Sequence, residues 1–234
     1  MSAEPTEAPA ATIEGVRALM ARATGDEKHA ESSTSTLDPI WVLYDRVMRF
    51  DPSDPAWDGR DRFVLSKGHG PAGYYAVLAA KGFFPEAWLD SFLEFDSPLG
   101  SHPDRRLVPG VEASTGSLGH GLAMGIGIAL ALRAKDLNDR RVFVLVGDGE
   151  LNEGSNWEGI LLAPKLGLGN LTVLLIDNHS TLRHGAPWGP KFEAFGWMVN
   201  LVDGHDMDGL ERAFGRHDDR TPGVVIADIP EGEW

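Results

Sequence analysis

The sequence predicts an α/β protein, a parallel β-sheet flanked by helices on both faces. Two observations carry this. Short apolar runs alternate along the chain with longer segments of helical period, as a parallel sheet with crossover helices requires. The two central runs, Val142 to Val146 and Leu171 to Ile176, each lead into a polar residue able to offer oxygen, Asp148 and Asn178, with a helical segment between them.

The elements follow in order. Residues 1–11 are Ala, Pro, Glu and Thr and read as a disordered tip, leaving 12–234 as a single domain. A helix starts near Thr12, with Ile13, Val16 and Met20 on one face and Gly25 as its stop. A second runs from about Leu37 through Trp41, Tyr44 and Met48 and ends before Asp51-Pro52. Phe63-Val64-Leu65 is a strand leading into Ser66-Lys67-Gly68-His69-Gly70 and a helix from Pro71 to about Lys81. Leu118 to Ala134 reads as a long helix whose Gly and Ala content lets it lie deeply buried. Then come the Val142 strand, a helix from about Gly154 to Leu166 and the Leu171 strand. A strand near Trp197 to Leu201, a helix over Met207 to Phe214 and a strand from Val224 to Asp228 complete the chain.

Composition narrows the function. With 42% hydrophobic residues in 234, the chain can bury a substantial core. A formal charge of −14 argues against nucleic acid and against an anionic membrane surface, since both need a basic face. An acidic protein still holds an anionic cofactor if a metal supplies the positive charge. The absence of cysteine excludes disulfides, thiolate catalysis and zinc–sulfur sites. The first residues lack a secretory pattern, and no apolar run approaches the ~20 residues of a bilayer span, so a cytoplasmic location is expected.

The chemistry concentrates in three glycine-rich blocks. Gly147-Asp148-Gly149-Glu150 and Asp177-Asn178 set a carboxylate and a carboxamide at the ends of neighbouring strands, thirty residues apart. Oxygen donors so placed suit a Mg²⁺ shared with a diphosphate, with the backbone carbonyl of Ser180 as a third protein ligand. On spacing alone a second reading stands equally: Asp148 caps the following helix and Asn178 occupies a turn. Thr115-Gly116-Ser117-Leu118-Gly119-His120-Gly121 opens the long helix, where glycines permit close approach and free N–H groups suit an anion; a ligand-free tight loop is the alternative. His69, before a helix, is placed to donate to a phosphate oxygen, with a hydrogen-bonded structural histidine as the alternative.

Taken together, the blocks resemble the amino-terminal half of a transketolase. Ser66-Lys67-Gly68-His69, Gly100-Ser101-His102-Pro103, Pro109-Gly110-Val111-Glu112, Thr115-Gly116-Ser117-Leu118-Gly119 and Gly147-Asp148-Gly149-Glu150 through Trp157-Glu158 stand in the family's order and near its spacing. The resemblance covers roughly residues 12–228. It implies the diphosphate-binding (PP domain) fold and thiamine diphosphate as cofactor, with Mg²⁺ or another divalent cation such as Ca²⁺ or Mn²⁺ on Asp148, Asn178 and Ser180. Gly149, Glu150 and His69 would serve the diphosphate side, and Gly116, Ser117 and Leu118 the aminopyrimidine and linker. His29, His69 and His102 would be the proton-moving imidazoles near the reacting carbons, and Glu153 and Glu158 would link paired active sites at a subunit interface. For Glu158 a solvated helix face is the competing reading.

The chain departs from the family in places. Lys28-His29-Ala30-Glu31 replaces a Gly-His-Pro-Gly type of segment, and His120 stands where Gln is common. Leu182 to Trp188 replaces an Asp-Gly turn, leaving His184 either near the diphosphate or facing solvent. Ile229 to Trp234 stands where the family continues into a Lys-Gly-rich loop and a further histidine. The family's catalytic glutamate belongs to a following pyrimidine-binding domain for which this length has no room. The resemblance therefore implies the amino-terminal subunit of a split transketolase, joined to a carboxy-terminal partner chain in an α2β2 heterotetramer. The implied reaction moves a two-carbon ketol unit from a ketose to an aldehyde. Two other readings remain: a subunit of a thiamine-dependent 2-oxoacid decarboxylase or dehydrogenase, and a non-catalytic cofactor-binding regulator.

Overall fold

The computed structural model describes residues 12–24, 30–179 and 186–230. Among them, strands β1 (Arg62–Leu65), β2 (Val142–Gly147), β3 (Leu171–Asp177), β4 (Met198–Asp203) and β5 (Gly223–Asp228) form one sheet in the order β1-β2-β3-β5-β4. Every neighbouring pair is parallel. The α-helices are α1 (Ile13–Met20), α2 (Ala30–Val42), α3 (Ala72–Ala80), α4 (Gly121–Ala134), α5 (Gly154–Lys165), α6 (Gly189–Ala194) and α7 (Met207–Gly215).

Side chains alternate across a strand, so each strand feeds two cores. Phe63, Leu65, Phe143, Leu145, Leu174 and Ile176 enter a core roofed by α1, α2, α3 and α7. Val64, Val142, Val144, Val146, Val173 and Leu175 enter a second one beneath α4, α5 and α6. Every residue of β1, β2 and β3 is buried, which explains why these strands read as unbroken apolar runs: neither face meets water.

Most helix boundaries follow their local chemistry. Thr12 caps α1 by accepting from the Gly15 N–H, and Asp206 caps α7 by accepting from that of Gly209. Three expectations need correcting. Helix α2 begins at Ala30, seven residues before the expected Leu37. Its first turns bury Ser33, Ser35 and Thr36 instead of apolar residues, and the Ser35 and Thr36 hydroxyls are satisfied by the Ser32 and Ser33 carbonyls. A helix that buries hydroxyls shows no apolar period.

Helix α4 starts at Gly121, because Gly119 has φ +83° and the segment before it is a loop. It is buried on one face only: Gly125 rests on Val144, while Ala123, Met124 and Gly127 are exposed. Helix α6 has no counterpart in the sequence reading, since six residues opened by Pro190 are too short for a period to register. Among the described residues no helix is long and apolar enough to cross a membrane.

Because all the strands run the same way, their carboxyl ends share one edge. The loops after β1, β2 and β3 open side by side there, the usual position of a ligand on an open α/β sheet.

Candidate cofactor and metal site

Strand β1 runs out into Ser66-Lys67-Gly68, and the first contact it makes is with the loop after β2. Ser66 Oγ donates to Glu150 Oε1 and accepts from the Gly121 N–H at 3.1 Å. Glu150 Oε1 also accepts from the Gly119 N–H at 2.9 Å, and Oε2 accepts from that of Gly147 at 3.3 Å. One buried carboxylate thus ties two strand ends to the start of α4. Burial pushes its pKa up, opposed by the hydrogen bonds from Ser66, Gly119 and Gly147 and by the charge of Lys67. Glu150 lies in the frame of the site, with both oxygens engaged by protein donors.

Lys67 lies beside it. Its Nζ is buried and has no hydrogen-bond partner among the described residues. Burial pulls the amine down to about 8, against the attraction of Asp148 and Glu150. A buried cation without a partner is costly, and an anion brought next to it would relieve that cost.

The glycines form a close stack. A Cβ on Gly68 would come within 2.6 Å of the Gly116 nitrogen, and one on Gly116 within 2.5 Å of His102 Cδ2. Gly116 also has φ +142°, a conformation natural only to glycine. Thr115 Oγ1 donates to the Leu65 carbonyl at 2.6 Å and holds this loop over β1. The Tyr75 hydroxyl reaches the carbonyls of Gly100 and His102, both at 3.1 Å, and fixes the segment that carries the His102 ring. That ring is exposed, with Nδ1 3.1 Å from Ser101 Oγ. Ser117 is exposed, while His69, Leu118 and Gly149 are half-buried on the same loops.

Asp148 and Asn178 stand on adjacent strand ends. β2 and β3 are paired in register, and the Asp148 N–H donates to the Ile176 carbonyl at 2.9 Å. The carboxylate is 3% exposed, with Oδ1 accepting from the Gly149 N–H at 2.8 Å. The capping role is therefore real, though it occupies one oxygen and starts only a short 3₁₀ turn, Gly149–Asn152. Asn178 is 2% exposed and turns Nδ2 towards Ser35 Oγ, 3.2 Å away on α2.

Glu153 and Glu158 are exposed at the start of α5, Glu153 lying against Gly119. Beneath them the loop is well tied: Asn156 Nδ2 donates to the Glu150 carbonyl and Trp157 Nε1 to that of Leu151, each at 2.7 Å. His29, Ser180 and His184 lie outside the described residues.

The sequence pattern assigns no role to Lys67, Ser35, Thr115 or Tyr75. A lysine at the end of an apolar strand is the one visible signal; the other three act through backbone or across long separations. A further cluster on this edge is Asp177, His179 and Asp228, with His179 Nε2 at hydrogen-bond distance, 2.7 Å, from Asp228 Oδ1 and 3.9 Å from Asp177 Oδ1.

Buried Asp148 and Asn178, the unpartnered Lys67 amine and a bare-backbone cradle at Gly68 and Gly116 fit a divalent cation bound with a diphosphate.

Known proteins share this architecture. The profile of the family described as "Transketolase, thiamine diphosphate binding domain" matches residues 10–227. A Rhodococcoides fascians protein named Ferredoxin fas2 is 47% identical over 231 residues, covering 98% of this chain and 75% of its own length. One of the subunits of an apulose-4-phosphate transketolase, from Actinobacillus succinogenes, is 40% identical over 215 residues, covering 87% of this chain and 76% of its own length. A crystal structure of a Pichia stipitis transketolase variant superposes with a TM-score of 0.81 at 27% identity, over 92% of this chain. The chain spans 35% of that enzyme. The match along nearly the whole sequence, on the loops that build this site, places the chain in the transketolase family as a thiamine diphosphate-binding domain.

Proposed function

We propose that residues 12–230 act as the cofactor-holding part of a two-subunit transketolase, which transfers a two-carbon ketol unit from a ketose to an aldehyde. The observation that carries this reading is the pair Asp148 and Asn178 on neighbouring strand ends above the Gly68–Gly116 cradle. The partner requirement rests on the Actinobacillus relative, which bears the name of a transketolase subunit rather than of a whole enzyme and matches over most of both lengths.

Bound thiamine diphosphate supplies an electron sink for making and breaking the carbon–carbon bond. The chain's own residues do the rest. Asp148 and Asn178 would hold the cation, with the Ser180 carbonyl as third protein ligand, and the cation would neutralise the charge of the diphosphate. The Lys67 amine would add positive charge beside Asp148. The Gly116 and Leu118 backbone would take the aminopyrimidine side. His69, His102 and His29 orient the substrate's hydroxyls and carry protons to and from them, a task suited to imidazole near neutral pH. Glu150 acts at one remove by fixing the loops that carry these groups. Exposed Glu153 and Glu158 face the partner subunit, in an assembly of two copies of each chain.

The test is calorimetry of thiamine diphosphate binding to the complex with its pyrimidine-binding partner, with Mg²⁺ and with chelator. Asp148→Ala should abolish the Mg²⁺-dependent part, and unchanged affinity would remove the metal assignment. The chain alone should show no ketol transfer; turnover without a partner would refute the two-subunit reading.

A further inference from the structure

The opposite, amino-terminal edge of the sheet opens into a cavity of about 880 Å³. Its wall comes from residues near the amino ends of the strands: Arg49, whose carbonyl accepts from the Asp61 N–H beside β1, Arg141 before β2, Asn170 before β3 and Arg220 before β5, joined by Arg133 from the end of α4. The six residues of β2 separate it from Asp148 by about 20 Å, so it is a different site from the cofactor edge.

Four arginines converge here in a chain of formal charge −14. Arg49 is neutralised, pairing with Asp61 at 3.0 Å and Asp139 at 3.4 Å. Asp139 is shared further with Arg140. Among the described residues Arg133, Arg141 and Arg220 make no ion pair within 4.0 Å, although Asp218 attracts Arg220 and the carboxylates of Asp139 and Asp219 stand on the same wall. Neutral groups hold two of them instead. Arg141 donates to the Val47 carbonyl at 2.7 Å and the Phe214 carbonyl at 3.3 Å, with its guanidinium 5.0 Å over the Phe143 ring. Arg133 donates to the Leu166 carbonyl at 2.8 Å. Carbonyls orient a guanidinium without cancelling its charge. Burial and the neighbouring Arg49 both disfavour the Arg141 cation, with Asp61 opposing them.

Guanidinium forks oriented by carbonyls, as at Arg133 and Arg141, match the paired oxygens of phosphate and carboxylate groups, and a phosphate offers the greater charge. The volume exceeds what inorganic phosphate needs and lies in the range of pockets for small organic ligands. Asn138, Asn170 and His217 add hydrogen-bonding groups to the wall that suit a hydroxylated body. We propose that this cavity binds a phosphorylated small molecule of the nucleotide or sugar phosphate class, with its phosphate on Arg133, Arg141 and Arg220. The inference does not rest on the cofactor reading.

The experiment is calorimetry on the full chain with pyrophosphate, ADP and ribose 5-phosphate, in EDTA and about 0.15 M salt so that exposed charges are screened. ADP or ribose 5-phosphate should bind with a Kd below about 1 mM, and the tighter of the two identifies the body of the ligand. The double variant R133Q/R220Q should weaken this at least about ten-fold. Asp148→Ala should leave it unchanged. Should the double variant not fold, Arg220→Glu on the exposed loop should give the same loss. Absence of binding by both organic phosphates, equal binding by the arginine variants, or loss in Asp148→Ala would each overturn the proposal.

Discussion

Ser66 at the end of β1 and Glu150 after β2 are 84 residues apart and share a hydrogen bond on an oxygen that also takes the Gly119 amide. The loops of the site are thus held by a single carboxylate that water does not reach. Glu150→Ala would leave the Ser66 hydroxyl and two backbone N–H groups unsatisfied in a buried space. A loss of about 2–4 kcal/mol in urea unfolding is expected, with weaker thiamine diphosphate binding by the assembled enzyme. A variant as stable as the parent would show that water replaces the carboxylate.

Gly116→Ala tests the cradle. The added methyl meets the His102 ring, and φ +142° is strained for any side chain. Destabilisation of about 1–3 kcal/mol is expected, with displacement of the 101–103 segment visible in a crystal structure of the variant. Unchanged stability together with an unmoved His102 would contradict the packing described.

Lys67 gives a pH signature. Its folded pKa, about 8, lies below the ordinary 10.5, so between these values the unfolded chain binds more protons than the folded one. Stability should therefore rise with pH from about 8 to about 10.5 through this group. Lys67→Met removes the effect: the variant should be the more stable below pH 8, by up to about 3 kcal/mol, with the gap closing as pH rises. Denaturant unfolding of both proteins across this range checks it. A gap that does not narrow would mean that the amine is neither dry nor depressed.

His102→Asn separates chemistry from binding. The ring is exposed at the mouth and supports no buried contact beyond Gly116. In the reconstituted enzyme kcat should fall about 10²-fold while calorimetric affinity for thiamine diphosphate stays within error. An equal loss in both would make His102 part of the cofactor seat.

The sheet is legible in the sequence because β1, β2 and β3 are buried on both sides, so their apolar runs have clear ends. Asp148 and Asn178 are legible for the same reason: each interrupts such a run where the strand stops. Helix α2 escapes because it buries Ser33, Ser35 and Thr36, the last two with hydroxyls satisfied locally and Ser33 Oγ accepting from the Ala72 N–H, a solution invisible to hydrophobic period. The clasp between Ser66 and Glu150 escapes because a carboxylate in a Gly-Asp-Gly-Glu turn looks the same whether it faces a ligand or the backbone. Only the positions of the Gly119 and Gly147 amides decide that.

The ties from Asn156 to Glu150 and from Trp157 to Leu151 have a mechanical consequence. They brace the first turn of α5 against the short 3₁₀ turn Gly149–Asn152. The outward face of α5 is therefore joined, through residues 150 and 151, to the turn that follows Asp148.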